Sequence, residues 1–123
     1  MRNITEPERV KELFEKLINS DFYIVPKEGK INVSNKQGVY IIYNNNKEVL
    51  HVGKTKDARN GLNQRLLNHV RNQSSFSKLY MQKNKICLRN WGFIKFIEID
   101  SPRDRSLLEA LTAGMLCPAH IGI

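Results

Sequence analysis

The stretch that decides the fold is GVYIIYNNNKEVLHVGKT, residues 38–55. Its β-rich runs at 39–43 and 48–53 flank the polar sequence NNNK, which is typical of a β-hairpin. A two-residue turn and a four-residue loop share the same centre here, and both predict that Tyr40 lies directly opposite His51. Directly opposed residues have Cβ atoms about 5 Å apart. The hairpin therefore predicts a phenol and an imidazole on one sheet face, whereas a slip of one residue would separate them.

Helical and strand patterns lie on both sides of this hairpin. Thr5 and Ser101 each precede a first turn that contains proline and an acidic residue, as at a helix N-terminus. Asn60 and Gly61 mark a third helix start, and the apolar stretch at 91–100 predicts a central strand. The predicted elements are a helix over 5–19, one or two short strands within 21–37, a short helix from 60, about two helical turns within 71–85, the strand at 91–100 and a helix from 101 to 116.

Composition limits where the protein works and what holds it together. No apolar run approaches the roughly twenty residues that span a bilayer, and the first ten residues lack the apolar segment of a secretion signal. We therefore expect a cytoplasmic protein without membrane association. Cys87 and Cys117 are too few for a disulfide framework, and both are expected to be small buried thiols.

Positive charge is concentrated in the middle of the chain. The net charge is +8, and residues 51–90 hold nine Lys or Arg against the single acid Asp57. The nine cations are Lys54, Lys56, Arg59, Arg65, Arg71, Lys78, Lys83, Lys85 and Arg89. This segment predicts a polyanionic partner whose phosphates supply salt-sensitive affinity. The alternative is the solvated surface of an ordinary basic protein.

Two charged residues do not fit a purely structural role. Glu109 is the only charge in LLEALTAGMLC, a helix otherwise suited to burial on most sides, and a buried carboxylate is costly unless cations or donors meet it. Arg65 lies on a helix flank without a nearby acid. Each residue also has an ordinary interpretation, as an exposed charge at the edge of an amphipathic helix.

Together, these residues form a recognisable pattern. In chain order its parts are Gly38-Val39-Tyr40, His51-Val52-Gly53 followed by Lys54-Thr55, Arg65-Leu66-Leu67-Asn68-His69, and Glu109. In its order and spacing the pattern resembles the GIY-YIG nuclease superfamily, over roughly residues 35 to 120. The tripeptides are weak individually, but their order, the spacing of about ten residues across the hairpin and the R-x-x-x-H helix are specific jointly.

The resemblance implies a fold and a division of the chain. The fold class is α/β, an α+β sandwich with a small central three-stranded antiparallel sheet flanked by helices and an extra N-terminal helix. Residues 1–123 form a single domain, in which 1–34 are an N-terminal extension and 35–123 are the catalytic core.

The resemblance also implies an activity, the metal-dependent hydrolysis of phosphodiester bonds in DNA. The implied catalytic residues are Tyr40, His51, Lys54, Arg65, His69 and Glu109, with Glu109 as the sole protein ligand of Mg²⁺ or Mn²⁺. Tyr40 activates or aligns the attacking water, and Arg65 contacts the scissile phosphate. The basic middle of the chain, rather than the resemblance, predicts the nucleic-acid contacts, which are Lys56, Arg59, Arg71, Lys78, Lys83, Lys85 and Arg89. Charge gathered on the phosphate is offset by the arginine and the cation, which is the chemistry that these residue types suit.

His51 is a departure from the family pattern, because a second tyrosine usually occupies this position. An imidazole with an ordinary pKa near 6.5 can accept the proton of the water directly. Alternatively His51 only orients Tyr40, or it is a hydrogen-bonded sheet residue.

A second departure lies at the C-terminal end. The family typically has an asparagine about a dozen residues after its glutamate, where this chain reads CPAHIGI. Either His120 takes that role or the role is vacant. Cys117 and His120 have the spacing of a zinc ligand pair, but no second pair accompanies them.

Both departures keep a rival function open. The alternative is a catalytically impaired nucleic-acid-binding module, for DNA or RNA, that retains the fold. No recognition helix or zinc finger is evident, so specificity would come from DNA structure, a homodimer mate or a protein partner.

Overall fold

The computed structural model describes residues 3–57 and 59–121 as an antiparallel sheet with helices on both faces. The elements in chain order are α1 (Glu6–Ile18), β1 (Tyr23–Ile24), β2 (Gly38–Tyr43), β3 (Val49–Lys54), α2 (Gly61–Val70), a π-helix (Phe76–Met81), β4 (Phe93–Glu98) and α3 (Pro102–Leu116). The strand order is β1-β4-β2-β3. The predicted α/β sandwich with an N-terminal helix is confirmed. The sheet has four strands rather than three, because the two-residue β1 pairs with β4.

Strand β2 separates two hydrophobic cores. All six of its residues are buried, and successive side chains point to opposite faces of the sheet. One core contains Tyr40 and Ile42 with side chains of α2 and the π-helix. The other contains Val39 and Ile41 with side chains of α1 and α3. Strand β4 lies between β1 and β2, so the prediction that its segment is central in the sheet is confirmed.

Two of the three predicted helix starts form as expected. The side chain of Thr5 accepts a hydrogen bond from the main-chain N–H of Glu8, and that of Ser101 accepts one from Asp104. These are the capping contacts that satisfy otherwise unpaired N–H groups at a helix start.

No helix within residues 3–57 and 59–121 has the length and apolar character needed to cross a bilayer.

The third helix start is capped by main chain rather than by Asn60. Asn60 has a φ of 65° and makes no side-chain capping bond. Instead, the N–H groups of Leu62 and Asn63 donate to the carbonyls of Lys36 and Ser34. The segment before β2 therefore fixes where α2 begins, a contact that a local sequence pattern does not reveal.

The hairpin loop between β2 and β3 has three residues. The N–H of Asn44 donates to the Glu48 carbonyl, and the N–H of Lys47 donates to the Asn44 carbonyl. Lys47 has a φ of 61°, which places it in the left-handed region after a tight turn. The loop is thus centred on Asn46, whereas both predicted turns were centred between Asn45 and Asn46.

A β-bulge follows the loop. Ile42 pairs with His51 and Tyr43 pairs with Val49, so Leu50 is an extra residue without a partner on β2. An odd insertion in one strand turns the following side chains to the other face of the sheet. The loop and the bulge each shift the pairing by one residue, and together they restore the original face.

The prediction that Tyr40 lies directly opposite His51 is therefore wrong. Tyr40 pairs with Gly53. The two rings still share one face of the sheet, with centroids 6.2 Å apart, because the double shift preserves side-chain alternation. Tyr40 and His51 are diagonal neighbours.

Two further expectations differ from the structure. Within 71–85, the regular part is a π-helix over Phe76–Met81, an element that is frequent at functional sites. Cys87 and Cys117 are exposed rather than buried, since Cys87 follows the turn after the π-helix and Cys117 ends α3.

Replacing Gly53 with alanine tests the pairing with Tyr40. A Cβ at Gly53 would lie 2.3 Å from the Tyr40 hydroxyl oxygen, and Tyr40 is fully buried, so the ring has nowhere to move. We expect Gly53→Ala to lower the free energy of unfolding by about 1–3 kcal/mol, the usual cost of overpacking, as measured by urea denaturation.

Gly114→Ala is the matched control, because nothing lies within 4 Å of a Cβ at this helical position. It should raise stability by up to about 1 kcal/mol. A Gly53→Ala protein as stable as the control would mean that Tyr40 does not lie over Gly53.

Candidate active site

A cleft of about 460 Å³ opens at the edge of the sheet, beside the edge strand β3. Its lining comes from β3, α2, the π-helix, α3 and the segment that follows α3. The sequence-predicted residues that line it are His51, Lys54, Lys56, Arg65, Glu109 and His120. In the described part of the chain, this lining holds three cations and one carboxylate. Residues far apart in sequence thus form one positively charged cleft.

Tyr40 lies beneath the floor of this cleft. It is fully buried, and its hydroxyl lies under Gly53, which lines the cleft. The hydroxyl is 2.6 Å from Nε2 of His69. Burial raises the pKa of Tyr40 well above its usual value, while the nearby Arg65 guanidinium acts in the opposite direction. Tyr40 is therefore a neutral phenol whose partner is His69, not His51.

His69 connects Tyr40 to a pair of buried serines. Its Nδ1 is 2.6 Å from the Ser74 hydroxyl, which is 3.0 Å from the Ser77 hydroxyl. Burial lowers the pKa of His69 well below its usual range, so the ring is neutral. A neutral ring has one donor and one acceptor nitrogen. When Tyr40 donates to Nε2, Nδ1 donates to Ser74. Each hydrogen bond from Tyr40 through His69 to the serines then has one donor and one acceptor.

His51 lines the cleft with its ring held by stacking. It lies parallel to Phe76, with centroids 4.6 Å apart and planes 8° apart. Neither ring nitrogen has a hydrogen-bond partner in the described residues; the His120 main chain is close to the ring but outside hydrogen-bond geometry. Burial lowers the pKa of His51 to about 4. Without a partner for either nitrogen among the described residues, the ring does not favour the interpretation of His51 as a hydrogen-bonded sheet residue, and its role in proton transfer stays a prediction.

His120 reaches the cleft because the segment after α3 runs beside β3. The N–H groups of Ala119 and His120 donate to the carbonyls of Val49 and Leu50. The His120 ring is 5.7 Å from that of His51, and its Nε2 is buried without a partner among the described residues. Burial lowers its pKa. The cleft thus contains two neighbouring imidazoles with unused nitrogen atoms.

Glu109 is half-buried in the cleft. It makes no hydrogen bond or ion pair with another residue in the described ranges, although Lys54, Lys56 and Arg65 are near enough to act on it electrostatically. Burial raises the pKa of its carboxyl, and these three cations oppose the change. The interpretation of Glu109 as an ordinary exposed helix residue does not hold. Glu109 lines the cleft, and a carboxylate without a hydrogen-bond partner can still coordinate a cation.

Lys54 and the loop after it are fixed by α3. The ammonium of Lys54 donates to the Ser106 hydroxyl at 2.6 Å. The residue before Ser106 is Arg105, whose guanidinium is 1% exposed and donates to Thr55 and Asp57. The Thr55 hydroxyl in turn accepts from the first N–H of β2. Arg105 thereby positions the loop that carries Lys54 and Lys56.

The predicted nucleic-acid contacts do not form one surface. Lys56 lines the cleft, Arg71 lines a separate groove on the far flank of α2, and Arg89 donates to the Pro26 carbonyl. The remaining members, all exposed, are Arg59, Lys78, Lys83 and Lys85. Within residues 3–57 and 59–121, none of the seven forms an ion pair.

Sequence reasoning missed Arg105 and Ser74. Arg105 precedes Leu108 and Thr112 at helical spacing, and all three are buried, so its position on the apolar stripe of α3 was an available signal. For Ser74 no comparable signal exists, because its contact with His69 depends on how the chain turns between α2 and the π-helix.

A comparison of the sequence with known protein families agrees with this fold and cleft. The sequence matches the family model described as the GIY-YIG catalytic domain over residues 36–112, more than half of the chain. The chain therefore belongs to the GIY-YIG family, and its fold is of the nuclease type. No curated protein matches the sequence closely.

The buried, neutral His51 predicts a loss of stability in acid. The unfolded state takes up a proton near pH 6.5 and the folded state only near pH 4, so the unfolded state binds more protons between these values. Stability should therefore fall as the pH is lowered through this window. His51→Phe, which retains a ring to stack on Phe76, should reduce the loss by on the order of 3 kcal/mol.

Urea denaturation at pH 7 and pH 4 measures this difference. His69 and His120 titrate in both proteins, so the difference between the two losses reports His51 together with its electrostatic coupling to these two rings. An equal loss in both proteins would show that His51 is accessible and ordinarily basic in the folded state.

Proposed function

We propose that the protein is a metal-dependent endonuclease that hydrolyses phosphodiester bonds in DNA. The observation that carries this proposal is the convergence of Arg65, Lys54 and Glu109 in one cleft above the Tyr40–His69 hydrogen bond. A phosphodiester hydrolase needs positive charge for the phosphate, a group that aligns water and an acceptor for its proton. Each of these requirements has a matching side chain here.

In this mechanism, Arg65 and Lys54 hold the scissile phosphate. A guanidinium presents a rigid fork of donors to phosphate oxygens, and it stabilises charge that builds up during the attack. Lys54, which lines the cleft, acts as a point charge, and its bond to Ser106 fixes the position of the ammonium. Arg105 contributes as a positioning residue, because it fixes the loop that follows Lys54.

Tyr40 aligns the attacking water and passes its proton to Nε2 of His69, a step that requires the bound substrate to expose the Tyr40 hydroxyl, which is fully buried in the unbound protein. The raised pKa of Tyr40 argues against a free phenolate, so the hydroxyl accepts the water's proton as it gives its own away. Burial, with His51 and Arg65 nearby, keeps His69 neutral and lowers its basicity. An anionic phosphate nearby favours the charged imidazole and strengthens its basicity.

His51 and His120 complete the polar lining. The unused nitrogens of His51 are available to accept a proton or to bind a water, which supports a share in proton transfer. His120 occupies the neighbourhood in which the family's asparagine is expected, and its buried Nε2 supports the same positioning role. Residues 1–34 are an extension in this proposal, since the family match begins at residue 36.

Glu109 is the residue that would hold the metal ion. Within residues 3–57 and 59–121 there is no cluster of three His, Cys, Asp or Glu side chains suited to metal binding. A single carboxylate oxygen donor suits Mg²⁺ or Mn²⁺, which retain several waters and also bind substrate phosphate. When bound, such an ion supplies Lewis-acid stabilisation of the phosphate oxygens.

Glu109→Gln tests the function and the metal site together. Supercoiled plasmid and branched oligonucleotides are incubated with the full chain in Mg²⁺ or Mn²⁺. The wild type should nick them, whereas the variant should lose at least about 10²-fold in rate, the scale of removing one transition-state stabiliser. Its DNA affinity should stay equal or rise slightly, because one negative charge leaves the cleft.

Glu15→Gln is the matched control, a change of the same chemistry on the exposed face of α1, and it should cut like the wild type. Wild-type cutting by Glu109→Gln would remove Glu109 from the mechanism. Tight DNA or RNA binding by a wild type that never nicks in either metal would favour the nucleic-acid-binding module instead.

The exposed lysines near the π-helix are proposed to track the nucleic-acid backbone. Changing Lys78, Lys83 and Lys85 together to Gln should weaken binding evenly across sequences and reduce the salt slope by up to about three. The control changes Lys11, Lys16 and Lys27 to Gln and should leave the slope unchanged. Fluorescence anisotropy at several salt concentrations measures both slopes, and equal slopes would place the three lysines away from the nucleic acid.

A further inference from the structure

We propose that the preferred substrate carries an unpaired nucleobase beside the phosphate that is cut, and that Leu79 and Ile121 hold this base. This assignment depends on the nuclease function proposed above, because it names the substrate class of the same cleft.

Leu79 and Ile121 are apolar residues exposed in a cationic cleft. Leu79 is 66% exposed and Ile121 is 57% exposed, yet both line the cleft that contains Arg65 and Glu109. Exposed apolar side chains at a site for a polyanion cost free energy in the unbound protein. The hydrolysis of a phosphate does not use them, so they indicate a further apolar contact with the substrate.

Neighbouring contacts hold both residues in place. Leu79 belongs to the π-helix, which Phe76 and Met81 anchor in the core. Ile121 follows His120, whose main chain bonds to Leu50 and whose ring is 5.6 Å from that of Phe76. The apolar surface is therefore connected to the same packing that holds His51.

The cleft is larger than a phosphate requires. Its volume of about 460 Å³ is within the range of sites that enclose small organic ligands. A phosphate group and a hydrated cation leave space for a base or sugar next to them.

Regular duplex DNA offers little that matches this apolar surface. Its exterior is a phosphate backbone with polar groove edges, and its base faces are covered by stacking. An unpaired or unstacked base exposes its face, against which proteins place leucine, isoleucine or aromatic side chains. The combination of cations with apolar side chains therefore fits a flap, a bulge, a mismatch or a single strand better than an intact helix.

The experiment compares two labelled DNA substrates in single-turnover cleavage by the full chain. One is a fully paired duplex, and the other has the same sequence with a single unpaired nucleotide. Wild type should cut the second at least tenfold faster, next to the unpaired position, which is the preference that one base contact of ordinary strength provides.

The double variant Leu79→Ser, Ile121→Ser should cut the two substrates at rates within about twofold of each other. Met115→Ser is the matched control, since Met115 is 62% exposed on α3 but does not line the cleft, and it should keep the preference. A wild type that cuts both substrates equally, or a double variant that keeps the preference, would overturn the proposal.

A binding measurement separates this proposal from the nuclease function. With 2-aminopurine at the unpaired position, wild type should change the base fluorescence on binding and the double variant should not. If no DNA is cut but this difference is present, the endonuclease proposal fails and the base contact stands. If DNA is cut without this difference, only the base contact fails.

Light scattering tests a second copy of the chain as the occupant. A dimer that dissociates when Leu79 and Ile121 are changed to serine would assign them to a protein contact and overturn the proposal. A wild type and double variant with the same mass in solution would support it.

Discussion

The pairing register between β2 and β3 is the constraint on which the rest of the site depends. Two single-residue insertions, a three-residue loop and the bulge at Leu50, cancel each other, so His51 and Gly53 remain on the face that carries Tyr40. With only one insertion, Val52 rather than Gly53 would lie opposite Tyr40. The tyrosine would lose the glycine that makes room for its hydroxyl, and His69 would lose its partner.

The bulge also attaches the end of the chain. Leu50 has no partner on β2, and its carbonyl accepts a hydrogen bond from the main chain of His120. This bond brings the His120 ring against those of His51 and Phe76. A local irregularity in one strand thus determines which residue from the C-terminal segment enters the cleft, as bulges near functional sites often do.

Local patterns predicted what local interactions control. Thr5 and Ser101 begin helices because capping depends on residues three positions apart, and the alternation around Tyr40 placed it in the sheet. The family resemblance identified the cleft residues, but the partner of Tyr40 was predicted wrongly, because the register depends on Lys47 adopting a left-handed conformation and on the contact of Leu50 with residue 120. Neither is encoded by strand propensity.

The partners of the buried Arg105 were the other feature beyond sequence reasoning. Arginine is usually a surface residue. The guanidinium of Arg105 is nevertheless enclosed by Thr55, Asp57 and Gln37, about fifty to seventy positions away along the chain. Buried charges are tolerated only when several partners surround them. Such a set becomes visible only once the helix and the loop after β3 are packed together.

The central position of β2 determines which parts of the molecule can open locally. Its main chain is bonded to β3 on one side and β4 on the other, and both of its faces are covered, so its amides exchange with solvent only on global unfolding. The segment around His120 is held by two main-chain bonds at the sheet edge and opens at far lower free energy. We therefore expect the strand beneath the cleft to open only with the whole fold, whereas the segment that carries His120 separates and recloses many times within the lifetime of the native state.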